Sequence, residues 1–126
     1  MVKSLGRVLL ATVFITGGWG VLRNPDARVQ LVEAAGIPEA RRATILNALV
    51  MVVAGFMLAA DILPKLAAAM LIGSLVPTTY AGHPFWKEEH PAGRAGQRIH
   101  FNKNLAMLGG LLLVLMEDNR KAISGE

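Results

Sequence analysis

Three polar side chains share one face of the last apolar segment of the chain. Lys103 and Asn104 lie three and four residues after His100, which is the spacing of neighbours on a helix face. Because successive helices alternate in direction, Asn47 and His83 fall at the same depth as these three residues. Cationic and amide groups that converge at one depth could bind an anion or a polar headgroup, or hydrogen-bond a quinone carbonyl. These five residues are therefore the predicted ligand-binding site, in a single polar pocket.

A structural interpretation accounts for the same residues. The Lys103 side chain could extend its amine towards the membrane surface, and Asn47 and Asn104 could form hydrogen bonds between helices. Ionisable groups within membrane segments often mark functional sites. The residues alone leave both interpretations open.

A second polar layer is predicted around Arg7, at the opposite end of the helices. The uncharged run at 8–22 would form a helix of about 22 Å and the run at 104–116 one of about 20 Å, whereas a hydrocarbon core is about 30 Å thick. The first helix can therefore span a membrane only if it takes Arg7 with it. A cation at that depth needs a partner. Carboxylates at the end of the second helix (Asp61) and of the fourth (Glu117 and Asp118) lie at the same level, and we predict a structural ion pair between Arg7 and Asp61.

The sequence contains no self-sufficient catalytic motif. It has no cysteine, which excludes thiol chemistry and thiolate metal sites. The spacing of His83, His90 and His100 matches no established ligand motif, so no metal site is predicted. Although the net charge is +4, the basic residues lie between apolar runs and accompany no nucleic-acid-binding motif, so no nucleic-acid partner is predicted. A redox role would require a bound cofactor or a partner subunit.

These residues belong to a chain with the composition of a small membrane protein. Of the 126 residues, 53% are hydrophobic and 17% are charged, whereas a soluble domain has about 25% charged residues. We predict an all-α fold, a four-helix transmembrane bundle that forms a single membrane domain over 1–126. The predicted spans are 4–22, 44–63, 65–81 and 98–117. Small residues four apart recur in all four spans and favour close helix contacts, or an interface with a second copy or a partner.

The two long connections differ in character. Between the first and second spans, Asn24 as a cap, Pro25 and Gly36 favour a short interfacial helix with Ala27 and Leu31 on its apolar face, the alternative being a polar loop. The connection at 82–97 contains prolines and glycines and is expected to be irregular. Lysine and arginine counts, five on the side of the termini and eight on the other, place the long connections in the cytoplasm.

The sequence resembles the DoxX family of small bacterial membrane proteins with four helices. The similar segments are 6–18 (GRVLLATVFITGG), 64–67 (PKLA), 81–86 (AGHPFW) and, as the most distinctive, 100–111 (HFNKNLAMLGGL). The resemblance implies a multi-pass protein of the bacterial inner membrane with both termini in the cytoplasm, which is opposite to the charge count and is the orientation we adopt. It also implies an association with redox chemistry, since one relative forms part of a thiosulfate:quinone oxidoreductase and others are linked to oxidative-stress complexes.

Three functions follow as hypotheses. The first is an accessory or quinone-interacting subunit of a membrane oxidoreductase, with quinone as its cofactor, membrane lipids around it and an oxidoreductase subunit as its partner. The second is a transporter or binding protein for small molecules or lipids that uses the same pocket. The third is a purely structural scaffold.

Overall fold

The computed structural model describes residues 2–82 and 89–117, which form helices and no strand. Five helices follow one another: α1 (Val2–Arg23), α2 (Asp26–Ala34), α3 (Ala40–Ala59), α4 (Pro64–Gly82) and α5 (Pro91–Leu115). The all-α prediction is therefore confirmed for these residues. The predicted short helix between the first two long ones is also present, as α2.

Proline marks the start of two helices, where its missing N–H costs no hydrogen bond. Pro64 begins α4, after a tight turn in which Asp61 and Leu63 adopt positive φ angles of 59° and 43°. Pro91 begins α5, so the helix starts seven residues before the predicted span. The prediction of an irregular connection at 82–97 was wrong from Pro91 onward, because Gly93 and Gly96 are accommodated within the first turns of α5.

Helix α2 ends in a Schellman-type turn and packs on a face that we did not predict. Gly36 adopts a φ of 82° and the N–H of Ile37 donates to the carbonyl of Val32, so glycine ends the helix as expected. No side chain caps its start. Val29 and Val32 are buried, whereas Leu31 on the predicted apolar face is exposed. The two valines bury more apolar area than the alanines that suggested the other face.

The helices pack in the order α1, α3, α4 and α5, and α2 lies against α3 and α4. The core contains Phe14, Leu58, Leu71 and Leu111, all almost completely buried. The α1–α3 interface is the most extensive, and glycine makes it possible. A methyl group on Gly18 would lie 2.8 Å from the carbonyl oxygen of Ala48, so the two backbones approach too closely for any side chain at this position.

Two helices, α1 and α3, are long and apolar enough to cross a membrane. Most of the residues of α1 are exposed and most of those of α3 are at least partly exposed, and large apolar side chains such as Leu9, Leu46 and Phe56 point outwards. A core helix of a soluble protein would bury such residues, and soluble monomers rarely expose large contiguous apolar patches. Helix α4 contains buried Ser74 and Thr79, and α5 begins with a polar segment.

Candidate functional site

Arg7 is the centre of an ion-pair cluster at the end of the bundle where α1 begins. Its side chain is only 10% exposed, and its Nη1 donates to both carboxylate oxygens of Glu117, at 2.8 and 3.1 Å. Its Nη2 lies 3.4 Å from Oδ1 of Asp61, whose side chain is 60% exposed. The structure thus brings Arg7 together with carboxylates from both helix ends expected at this level, and Glu117, just after α5, is the closer and less exposed of the two. The cluster connects α1, the α3–α4 turn and the end of α5.

At the other end, two predicted site residues hydrogen-bond to consecutive threonines of α4. The Nδ2 of Asn47 donates to Oγ1 of Thr78 at 2.8 Å, and the Nδ2 of Asn104 donates to Oγ1 of Thr79 at 2.9 Å. Each threonine hydroxyl in turn donates to the carbonyl four residues earlier in α4. Consecutive residues of a helix point about 100° apart. The two asparagines therefore lie on different sides of α4, one at α3 and the other at α5.

The α4–α5 cavity lies beside Asn104. It has a volume of about 380 Å³ and is lined by Leu75, Val76, Thr79, Tyr80, Phe101, Asn104, Leu105 and Leu108. Asn104 is 4% exposed and is the most polar group in the wall. Its amide nitrogen carries two N–H groups and, among the residues that the structure describes, donates only one hydrogen bond, to Thr79. The cavity can therefore receive a flat apolar molecule that presents a hydrogen-bond acceptor.

The α2 cavity lies on the other side of α4, beside Asn47. It has a volume of about 210 Å³, and its polar lining comprises Arg28 from α2, Thr44 and Asn47 from α3, and Thr78 from α4. Burial lowers the pKa of the Arg28 guanidinium below its ordinary value, because desolvation disfavours the charged form. The guanidinium nevertheless remains a cation at neutral pH.

The remaining predicted site residues do not line either cavity in the described part of the chain. His100 and Lys103 are exposed on α5, and His83 lies outside the described residues. The structure therefore does not bring the five residues into one pocket. It assigns Asn47 and Asn104 to separate cavities, and ligand binding at all five positions stays a prediction.

Two polar residues of the α2 cavity, Arg28 and Thr44, were not among the predicted site residues. Arg28 was counted only as a loop charge, and Thr44 only as the start of a span. A signal for Arg28 was present in the sequence, since it lies four positions before Val32 and so shares a helix face with that residue. Thr44 gave no comparable signal.

Comparison with known proteins identifies the family. A family model described as DoxX matches residues 2–84, which is more than half of the chain. The match confirms the resemblance, although it does not extend over the segment at 100–111 that we considered most distinctive. No curated protein and no solved structure is significantly similar to the chain. With this match and two long apolar helices that expose large apolar side chains, the chain belongs to the DoxX family and is a membrane protein.

Proposed function

We propose that this protein is a quinone-interacting accessory subunit of a membrane oxidoreductase, and that the quinone headgroup enters the α4–α5 cavity. The observation that carries this proposal is the buried Asn104 amide, which retains an N–H beyond the one given to Thr79. A quinone carbonyl accepts such a hydrogen bond. The rings of Tyr80 and Phe101 and the surrounding leucines offer apolar contacts for the flat headgroup.

The size of the cavity supports this ligand class. Small-molecule sites have volumes of about 300–1,000 Å³ and are mostly apolar with a few placed polar groups, and the cavity has about 380 Å³. The chain has no cysteine and no catalytic motif of its own. Its contribution is therefore to bind and orient a quinone for an oxidoreductase partner.

Binding of a water-soluble quinone analogue to the purified protein in detergent tests the site. Asn104→Leu keeps the branched shape of the side chain and removes the donor, so affinity should fall about five- to tenfold, which corresponds to roughly 1 kcal/mol. Asn47→Leu is the matched control, because it removes the equivalent bond to Thr78 outside this cavity. Equal affinities for both variants, or a photoreactive quinone that labels neither α4 nor α5, would refute the site. Native quinone and an oxidoreductase subunit should also co-purify with the protein.

We further propose that all four long helices span the bacterial inner membrane, with both termini in the cytoplasm. The absence of native cysteine makes this directly testable with single-cysteine variants. An impermeant maleimide added to intact cells should label Gln30→Cys and Ala92→Cys, and should label Ser4→Cys and Ile62→Cys only after lysis. All four positions are exposed. If only α1 and α3 crossed the membrane, Ala92→Cys would be labelled only after lysis, as Ile62→Cys is expected to be.

A further inference from the structure

The α2 cavity contains a half-buried cation whose Nη1 atom is an unused hydrogen-bond donor. The Nη1 atom of Arg28 is inaccessible to solvent and has no hydrogen-bond partner, and Arg28 forms no salt bridge with any of the residues that the structure describes. By contrast, the neighbouring Arg41 and Arg42 are exposed and pair with Asp26 and Glu39. An inaccessible guanidinium nitrogen without a hydrogen-bond partner is costly. Its position in the cavity wall therefore points to an anion from outside the chain.

A second unused donor lines the same cavity. Thr44 is 3% exposed, and its Oγ1 has no hydrogen-bond partner. A threonine in a helix often donates to the carbonyl four residues earlier, as Thr78 and Thr79 do. Thr44 does not, so its hydroxyl remains available to a ligand. Arg28 and Thr44 belong to different helices, and the cavity lies between these helices.

Apart from the hydrogen-bonded pair of Asn47 and Thr78, the rest of the cavity wall is apolar. Its apolar residues include Val21, Val32, Ile37, Ala48, Met51 and Pro77. A volume of about 210 Å³ corresponds to roughly seven water-sized groups at about 30 Å³ each. This space accepts a carboxylate or phosphate headgroup with the first few methylene groups, and the remainder of a chain would continue into the surrounding lipid.

We propose that the α2 cavity binds the oxyanion headgroup of an anionic amphiphile, a carboxylate or a phosphate carried by an acyl chain. Arg28 donates charge-assisted hydrogen bonds to the oxyanion, Thr44 donates its hydroxyl hydrogen, and the apolar wall holds the first methylene groups. Basic pockets between helices at the membrane surface are suited to anionic headgroups. This cavity is separate from the α4–α5 cavity, so it adds a second ligand to the one proposed above.

Titration of the delipidated full-length protein in a neutral detergent tests the ligand class. The probes are oleate, oleoyl lysophosphatidic acid, uncharged oleyl alcohol and inorganic phosphate, with binding followed by native mass spectrometry and calorimetry. Both anionic amphiphiles should bind at least about tenfold more tightly than the alcohol, since a hydrogen bond to a charged group contributes about tenfold or more. If inorganic phosphate binds as tightly as lysophosphatidic acid, the ligand is a free anion and the proposal is wrong.

Variants of the two donors test the site. Arg28→Gln should weaken oleate binding at least about tenfold, whereas Arg42→Gln, at an exposed arginine on α3, should leave it unchanged. Thr44→Val should weaken binding about threefold or more and Thr44→Ser should retain it. In the ligand-free protein Thr44→Val should raise the melting temperature, since it removes a buried unpaired hydroxyl. The comparison of Thr44→Val with Thr44→Ser tests the site even if Arg28→Gln does not fold. If Thr44→Val folds and binds oleate with unchanged affinity, the assignment of the site is wrong.

Discussion

Removing Glu117 should destabilise the bundle more than removing the arginine with which it pairs. In Glu117→Gln the Arg7 guanidinium keeps its charge and its position but loses the negative charge of the carboxylate and one of the two oxygens at 2.8 and 3.1 Å. Its remaining partner is Asp61, 3.4 Å away and 60% exposed. Breaking a fully buried ion pair on one side costs about 3–5 kcal/mol. Because the Glu117 side chain is 23% exposed, we expect Glu117→Gln to lower the free energy of unfolding by about 2–3 kcal/mol.

Variants of Arg7 and Asp61, the other two members of the cluster, should lower the free energy of unfolding by less. Arg7→Met removes the charge and fills most of the space, and the partly exposed Glu117 can then be hydrated, so we expect a loss of about 1 kcal/mol. Asp61→Asn should cost less than about 1 kcal/mol, as is usual for exposed ion pairs.

The double variant gives the sharpest test. If the cost of Glu117→Gln comes from an uncompensated buried cation, adding Arg7→Met should restore about 1–2 kcal/mol of the lost free energy of unfolding. The free energy of unfolding of the four variants and of the unmodified protein is measured by equilibrium unfolding in mixed micelles, followed by circular dichroism over an increasing fraction of denaturing detergent. A double variant that is less stable than Glu117→Gln alone would refute this explanation, as would Asp61→Asn and Glu117→Gln with equal costs.

Two further predictions use the same unfolding assay. Gly18→Ala should destabilise the protein by about 1–2 kcal/mol, because the new methyl group would lie 2.8 Å from the carbonyl oxygen of Ala48, whereas Gly20→Ala, with no atom within 4 Å, should stabilise α1 by up to about 1 kcal/mol. Changes of the same sign and size would show that helix propensity and not the α1–α3 contact decides the outcome. Asn104→Leu should cost about 1 kcal/mol, the range of hydrogen bonds between membrane helices, because the Thr79 hydroxyl keeps its bond within α4. A loss as large as that of Glu117→Gln would contradict this estimate.

The sequence predicts the cluster around Arg7 because length alone constrains it. A run of 15 uncharged residues cannot cross the hydrocarbon core without the preceding arginine, and chain direction brings the end of α3 to the same level. The start of α5 could not be found in this way. Its first turns are polar and contain Gly93 and Gly96, so neither apolar length nor helix propensity indicates the helix that begins at Pro91.

The depth of a side chain along the bundle can be predicted from the sequence, whereas the direction in which it points from its helix axis depends on how the helices pack. Asn47 and Asn104 were placed at one level, and both do bond to adjacent residues of α4. Their separation into two cavities arises because Thr78 and Thr79 point in different directions. Arg28 was overlooked for the same reason, since alanines suggested the wrong rotation of α2 about its axis.

The two cavities differ in how they relate to the family. Every residue that lines the α2 cavity lies within the matched residues 2–84, whereas half of the α4–α5 cavity comes from α5, outside the match. The family match therefore covers the helices that build the Arg28 cavity in full, but it includes neither Asn104 nor Phe101. A quinone site that depends on Asn104 would be a property of this chain's last helix. An oxyanion site at Arg28 and Thr44 would instead depend on the part of the fold that the family defines, so failure of the quinone test would leave the oxyanion site to be judged on its own variants.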